Sequence, residues 1–281
     1  MAGHPFHHVR STEAEELVGE RADEFWNLTL ARPYTSPAAR AGRVDEGTWL
    51  MTVPVANGEE RAAAYAACRR RVRELLGGIS EAQAGAIVPA CPDWTIRNLS
   101  AHLAGVCRDL AERNLPAGDV QAWVDRQVAE RAGRSVTALL DEWDEFGSAF
   151  EAMIATRPER TGALLYDVIA HEHDAASALG LIGDRTSNGI HLSIDIIAAM
   201  IDGDLTKAGL PAVRFTDGTR AWEVGQGSVQ FTMEAETFEL MRALGSRRSI
   251  GQLEAMTHSG DLNRFLPGIA HLPLPVTDLV E

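Results

Sequence analysis

Histidines and carboxylates at helical spacing are the residues whose chemistry is readable first. In the run YDVIAHEHDAASALG, Asp167 and His171 stand four residues apart. On a helix that spacing puts both on one face, with Cβ atoms about 6 Å apart, close enough to grip one metal ion. A third ligand has to come from a neighbouring helix. His102, in LSAHLAG beside the stripe Leu99, Leu103 and Val106, is the best placed. Two imidazoles and one carboxylate leave a coordination position open, as in catalytic zinc, and the same set suits non-haem Fe(II). The plainer alternative is a chance Asp-x3-His pair and a hydrogen-bonded core histidine. Glu172 and His173 adjoin the pair, but helix neighbours point about 100° apart, so neither shares the face of His171.

Other reactive side chains are weaker candidates. Cys91 precedes Pro92 at a helix entrance and Cys107 lies in the helix of His102; buried structural cysteine is the expectation for both. His4, His7 and His8 cluster near the start, where incidental metal affinity is the simplest reading. Lys207, the single lysine among 26 basic residues, sits in the polar stretch DGDLTKAG, a poor setting for a nucleophile. Gly225-Gln226-Gly227 lacks the third glycine and following helix of a dinucleotide site. Trp94 reads as a packing residue at a helix entry.

The elements that must hold these residues follow from periodicity. Residues 1–57 form a heterogeneous appendage, with a helix expected over Thr12–Leu30 and an extended strip in GTWLMTVPV. From residue 58 to 208 the pattern is helical. Helices are expected over Glu59–Leu76, Ile96–Arg113, Val136–Thr156, Ala163–Leu179 and His191–Leu205. Thr95 caps the second of these, and Ser80 with Gln83 forms a capping box before a short one. Beyond Pro211 the period switches to two, and AVRFT, TRAWEV and SVQFTME read as a three-stranded meander followed by a helix over Ala235–Leu244. The fold class expected is therefore α+β: a helical bundle over 58–208, then a small α+β domain over 209–281.

Composition narrows the function. The 281 residues are 45% hydrophobic and 23% charged, close to globular averages. A net charge of −14 argues against nucleic acid or an anionic membrane surface as partner. No apolar run approaches the ~20 residues that span a bilayer, and the first residues lack the apolar stretch of a signal peptide. Three cysteines without a CxxC pair argue against a disulfide scaffold. A cytoplasmic protein is expected.

A resemblance adds to this reading. VPACPDWTIRNLSAHLAGV resembles the signature of the mycothiol-dependent maleylpyruvate isomerase N-terminal domain, a branch of the DinB-like superfamily, in which an Asp-Trp-Thr motif enters a helix bearing His-Leu-Ala-Gly. That family also carries a later helix with an acidic residue, a histidine four residues on and an aspartate three beyond; here these are Asp167, His171 and Asp174. ETFELMRALGSRRSIGQLE is similar to the end of the same family's small C-terminal domain. The resemblance runs from about Glu59 onward. It implies a DinB-like four-helix bundle holding a divalent metal, usually zinc, on His102, Asp167 and His171, with mycothiol or a related low-molecular-weight thiol as co-substrate. Asp174 would orient a ligand imidazole or assist proton transfer. Arg247 and Arg248 match the family's arginines, one of which would anchor a substrate carboxylate; the alternative is a solvated basic helix end. Two departures stand out: Asp167 is one methylene shorter than the usual Glu, and residues 1–57 are extra.

These departures favour a metal-dependent thiol S-transferase acting on an electrophilic or sulfur-bearing small molecule in specialised metabolism. Cis–trans isomerisation of maleylpyruvate through reversible thiolate addition is the alternative, and a non-catalytic thiol- or metal-binding module is the rival from another class.

Overall fold

The computed structural model describes residues 42–45, 48–51, 57–116 and 118–281, so the expected Thr12–Leu30 helix and the early histidines lie outside the described residues. Helix α1 (Gly58–Leu76) opens where the Asn57 side chain accepts the Glu59 N–H at 3.0 Å. The short α2 (Glu81–Ala84) carries the Ser80–Gln83 capping box. A hairpin of β3 (Ile87–Val88) and β4 (Cys91–Thr95) leads into α3 (Ile96–Ala111), closed by a second capping box between Thr95 and Asn98. Each such cap satisfies helix N–H groups that have no partner in the first turn, stabilising the start by about 1 kcal/mol.

Three further helices complete the bundle: α4 (Val120–Glu130), α5 (Val136–Thr156) and α6 (Pro158–Ala178). Arg157-Pro158, which reads as a helix stop, also starts the next helix: Pro158 takes the first position of α6, where its missing N–H costs nothing. The long helices α1, α3, α5 and α6 pack on one another around an apolar core. There Trp143 donates to the Tyr65 hydroxyl at 2.7 Å, and the Tyr65 and Phe150 rings lie 4.8 Å apart. α4, which the periodicity did not suggest, lies along α3 and is tied to α5 by the buried Arg131–Glu142 pair at 2.6 Å.

α7 (Asn188–Ala208) joins the two halves. It packs on α1 and α6 on one side and, on the other, against β6 (Arg220–Val224), α8 (Thr237–Leu244) and α10 (Leu262–Ile269). The chain is thus α+β, helical first and then built on a sheet. Among the described residues that sheet has six strands rather than three, in the order β1 (Gly42–Asp45), β2 (Thr48–Met51), β6, β5 (Pro211–Thr216), β7 (Gln226–Glu234) and β8 (Thr257–Ser259). β1 and β2 add to the β6 edge, and β8, which follows α9 (Ile250–Met256), adds to the other. Nor are the three expected strands a meander. β5 is central, antiparallel to β6 and parallel to β7. Its buried run Ala212, Val213, Phe215 and Thr216 explains why: a strand covered on both faces belongs in the middle. Among the described residues no helix is long and apolar enough to cross a membrane.

Candidate metal centre

α6 presents Asp167, His171 and Asp174 along one face, as spacings of four and three require. α3 brings His102 against them. The Nε2 atom of His102 lies 3.3 Å from Asp167 Oδ2, and Nε2 of His171 lies 3.4 Å from Asp167 Oδ1. One ligand atom from each of the three residues falls within 4.8 Å of the others. The edge of a tetrahedron of zinc–nitrogen bonds is about 3.3 Å, so these separations are of the right size for one ion. The histidine side chains are 6% and 5% exposed, whereas Asp167 keeps 35%, so the group opens to solvent on the carboxylate side.

The protein fixes which nitrogen each imidazole offers. His171 Nδ1 lies 2.9 Å from Asp174 Oδ2. That carboxylate is fully buried and also receives Arg242 Nη2 at 2.6 Å and Arg247 Nη2 at 3.3 Å. Asp174 accepts only, so Nδ1 keeps a proton in every form, and Nε2 is the atom that faces Asp167: protonated in the metal-free protein, a lone pair once a cation takes that proton's place. His102 is set more indirectly. Its Nδ1 lies 3.2 Å from Gln127 Oε1, while the Gln127 amide donates to Asp109 Oδ2 at 3.0 Å. Asp109 turns the amide, the amide oxygen faces the ring, and His102 again keeps its hydrogen on Nδ1. Such outer partners hold a ligand ring in its metal-binding form.

Gly105 explains how α4 comes near enough. A Cβ there would sit 2.6 Å from Gln127 Cβ, so any larger residue would push Gln127 away from His102. The glycine of the HLAG segment is therefore a matter of close approach. Trp94, on β4, covers both imidazoles, with ring centroids 5.1 Å from His102 and 5.8 Å from His171. It lines the group and does more than fill a helix entry. Cys91 on the same strand reaches to 3.9 Å from Asp174 Oδ2. It approaches His171 from the Nδ1 side, where the donors are already taken. Burial, and then Asp174 beside it, push the Cys91 thiol up to about 12, so it stays protonated near neutral pH.

The two arginines of the RRS segment separate. After α8, Ser246 adopts a left-handed conformation (φ 60), and the Arg247 N–H returns to the Arg242 carbonyl at 2.9 Å. That turn sends Arg247 to Asp174. Its Nη1 donates to the Gly245 carbonyl at 2.8 Å, and its buried Nε has no partner. The Tyr166 hydroxyl is likewise buried without a partner, against Gly245, where a Cβ would lie 1.5 Å from it. Arg248 does not join the group. It forms two bonds to Glu239, at 2.7 and 3.0 Å, and one to Glu281 at 3.1 Å. Glu172 is occupied by Arg71 at 2.5 and 2.6 Å, and His173 packs on Phe238, where burial and then Arg242 lower its pKa to about 4. Arg242 and Gln127 are the residues that pattern reasoning passed over, and Trp94 was read as packing alone; the i, i+4 pair Trp123 and Gln127 after Asp119 is too short a pattern to mark α4.

Electrostatics favour a cation among these groups. Burial alone would raise the Asp167 carboxyl, but His171 and His102 outweigh it and hold it well below the usual range. Burial alone would lower His171, but the Asp167 and then Asp174 carboxylates raise it to about 9. Without a metal, His171 thus holds a proton as the local cation. Its folded pKa lies above the ordinary value of about 6.5, so the stability it adds is complete below that pH and lost as pH rises through about 9. Melting temperatures of the metal-free protein should therefore fall between about pH 6.5 and 9. A flat profile in differential scanning calorimetry would count against a charged His171.

Comparison with known proteins gives one family match, over part of the chain. Residues 65–181 match the family model described as the mycothiol maleylpyruvate isomerase N-terminal domain. The matched stretch contains His102, Asp167, His171 and Asp174, and the resemblance read from the sequence is borne out over it. Two solved structures are similar: a mycothiol-dependent maleylpyruvate isomerase, TM-score 0.49, and a histidine-to-alanine mutant of it, TM-score 0.48. Each is 14% identical, over 69% of this chain and 90% of its own. No curated protein matches the chain.

Proposed function

We propose that the chain is a thiol-dependent enzyme that holds a divalent cation, zinc by preference, on His102, Asp167 and His171. The observation that carries this is the pair of imidazoles whose free Nε2 atoms both face one carboxylate, each ring locked by a hydrogen bond behind it. Two neutral nitrogens and one carboxylate form a donor set suited to zinc with a position left over. When bound, such a cation supplies the charge that keeps a coordinated thiol ionised at neutral pH, where a free thiol with pKa of about 8.5 is mostly protonated.

The remaining groups have roles of their own. The Trp94 ring walls the imidazoles and limits water. Arg247, with its unpartnered Nε, and the unpaired Tyr166 hydroxyl offer donors for a carboxylate or carbonyl of the electrophile. Asp174 fixes the His171 ring; with both its oxygens occupied, it acts by orientation rather than as a proton carrier. In this reading the unit over 58–208 supplies the cation ligands and the unit over 209–281 supplies Arg247.

A thiolate adding to an electrophilic carbon forms a carbon–sulfur bond and moves the displaced electron pair onto the substrate. If the adduct is protonated and released, the reaction is a transfer; if the thiol leaves after bond rotation, it is an isomerisation. The family match favours testing isomerisation first. Zinc-loaded protein should release about one proton per chain on mixing with mycothiol at pH 7, seen with an indicator dye, and should then isomerise or conjugate maleylpyruvate. No proton release and no thiol binding by calorimetry would leave a non-catalytic module as the better account.

A further inference from the structure

We propose that Glu281 is a positioning residue for the metal centre, acting on His171 through Arg242 and Asp174. The inference rests on the reading that His171 is a metal ligand and goes beyond it. Residues 270–281 form neither helix nor strand, yet the polar contacts of 278–281 together hold one carboxylate in place. Ser249 Oγ donates to the Asp278 carboxylate. Gln252 grips the Leu279 backbone from both sides, accepting its N–H at 3.2 Å and donating to its carbonyl at 2.8 Å. Leu279 is buried, whereas Val276 and Val280 point to solvent. The end of the segment is thus pinned at positions 278, 279 and 281.

The last of these pins is electrostatic. The Glu281 side chain, 5% exposed, enters between Arg242 and Arg248. Arg242 has no exposed side-chain surface at all, and its whole fork is committed: Nε to Glu281 Oε2 at 2.7 Å, Nη2 to Asp174 Oδ1 at 2.6 Å and to Glu281 Oε1, Nη1 to the Ala170 carbonyl at 3.1 Å. Charge therefore alternates along Glu281, Arg242, Asp174 and His171. Arg248, a candidate for substrate binding by sequence, lies here against Glu281 and Glu239.

Removing the Glu281 charge would leave two buried guanidiniums, Arg242 and Arg247, leaning on Asp174 alone. Inside a protein such a change is weakly screened. Asp174 then becomes a poorer acceptor for the His171 Nδ1–H, and the Nε2 lone pair becomes a weaker ligand. Partners that touch a ligand ring directly contribute about 10–100-fold to metal affinity, so a residue one step further out should contribute about tenfold.

The test uses the full chain as wild type, Glu281→Gln and Glu281→Asp, with zinc affinity read by competition against a chromophoric chelator. Glu281→Gln should bind zinc about tenfold more weakly, and Glu281→Asp, which keeps the charge, within about threefold of wild type. In nitrogen-15 spectra of the metal-free proteins, Glu281→Gln should move the His171 Nδ1 signal and leave that of His102 in place. If Glu281→Gln does not fold, Leu279→Ala, which loosens the segment without touching an ion pair, should weaken zinc binding in the same direction. Wild-type zinc affinity retained in these variants overturns the inference and leaves the metal reading intact. A wild-type protein that takes up no zinc defeats the metal reading, and an unmoved His171 signal then defeats this inference separately.

Discussion

Replacing His102 with alanine is expected to strip the protein of its metal while leaving it folded. Elemental analysis of tag-free protein, washed with a weak chelator to clear incidental binding by His4, His7 and His8, should find about one zinc or iron per wild-type chain and almost none in the variant. The expectation follows from ligand count, because a site of three donors reduced to two loses its hold on the ion outright. The fold should survive. His102 contributes ring contacts with Trp94 and His171 and polar contacts with Gln127 and Asp167; Asp167 is half-open to solvent, and leaving the Gln127 amide oxygen unpaired costs about 1–3 kcal/mol. Gln127→Leu gives the graded companion: the ligand stays, its ring is no longer held, and affinity should fall about 10–100-fold. Equal metal content in wild type and His102→Ala would return the histidines to the status of core residues.

What was legible in the sequence, and what was not, divides by the range of the interactions. Asp167, His171 and Asp174 lie on one helix, and intervals of four and three residues place them on one face without any tertiary information. Capping pairs such as Thr95 with Asn98 are equally local. His102 could be singled out because its helix shows a clear apolar stripe. Gln127 could not: α4 is short, and its value to the site lies in an approach to Gly105 across 22 positions of chain. Arg242 was hidden differently. In ETFELMRALGSRRS the paired arginines attract notice, but Arg242 sits inside the helix and reaches Asp174 from 68 residues away. The strand order failed for a related reason. Alternation identifies a strand and its exposed face, but the place of β5 between β6 and β7 depends on what covers its second face.

Asp174→Asn is expected to cause the largest loss of stability of any single substitution in this region, even though it changes one atom. Asp174 is the common acceptor of Arg242, Arg247 and His171, and burial of its carboxyl is outweighed first by Arg247 and then by Arg242, which hold it ionised. An asparagine of the same shape carries no charge and turns an NH2 group toward one of three donors. Arg242 then keeps Glu281 as its anionic partner, while the buried Arg247 loses the carboxylate it was paired with. Removing one partner from a buried ion pair costs about 3–5 kcal/mol, far more than the pair itself contributes relative to apolar packing. Urea unfolding of the metal-free proteins should show a loss of that size for Asp174→Asn and a smaller one for His102→Ala. Zinc titration should separate the two in the opposite sense, with Asp174→Asn weakened about 10–100-fold and His102→Ala showing almost no binding. A loss below about 1 kcal/mol in Asp174→Asn would mean that the arginines find other anions, and that His171 owes its orientation to packing against Trp94 rather than to charge.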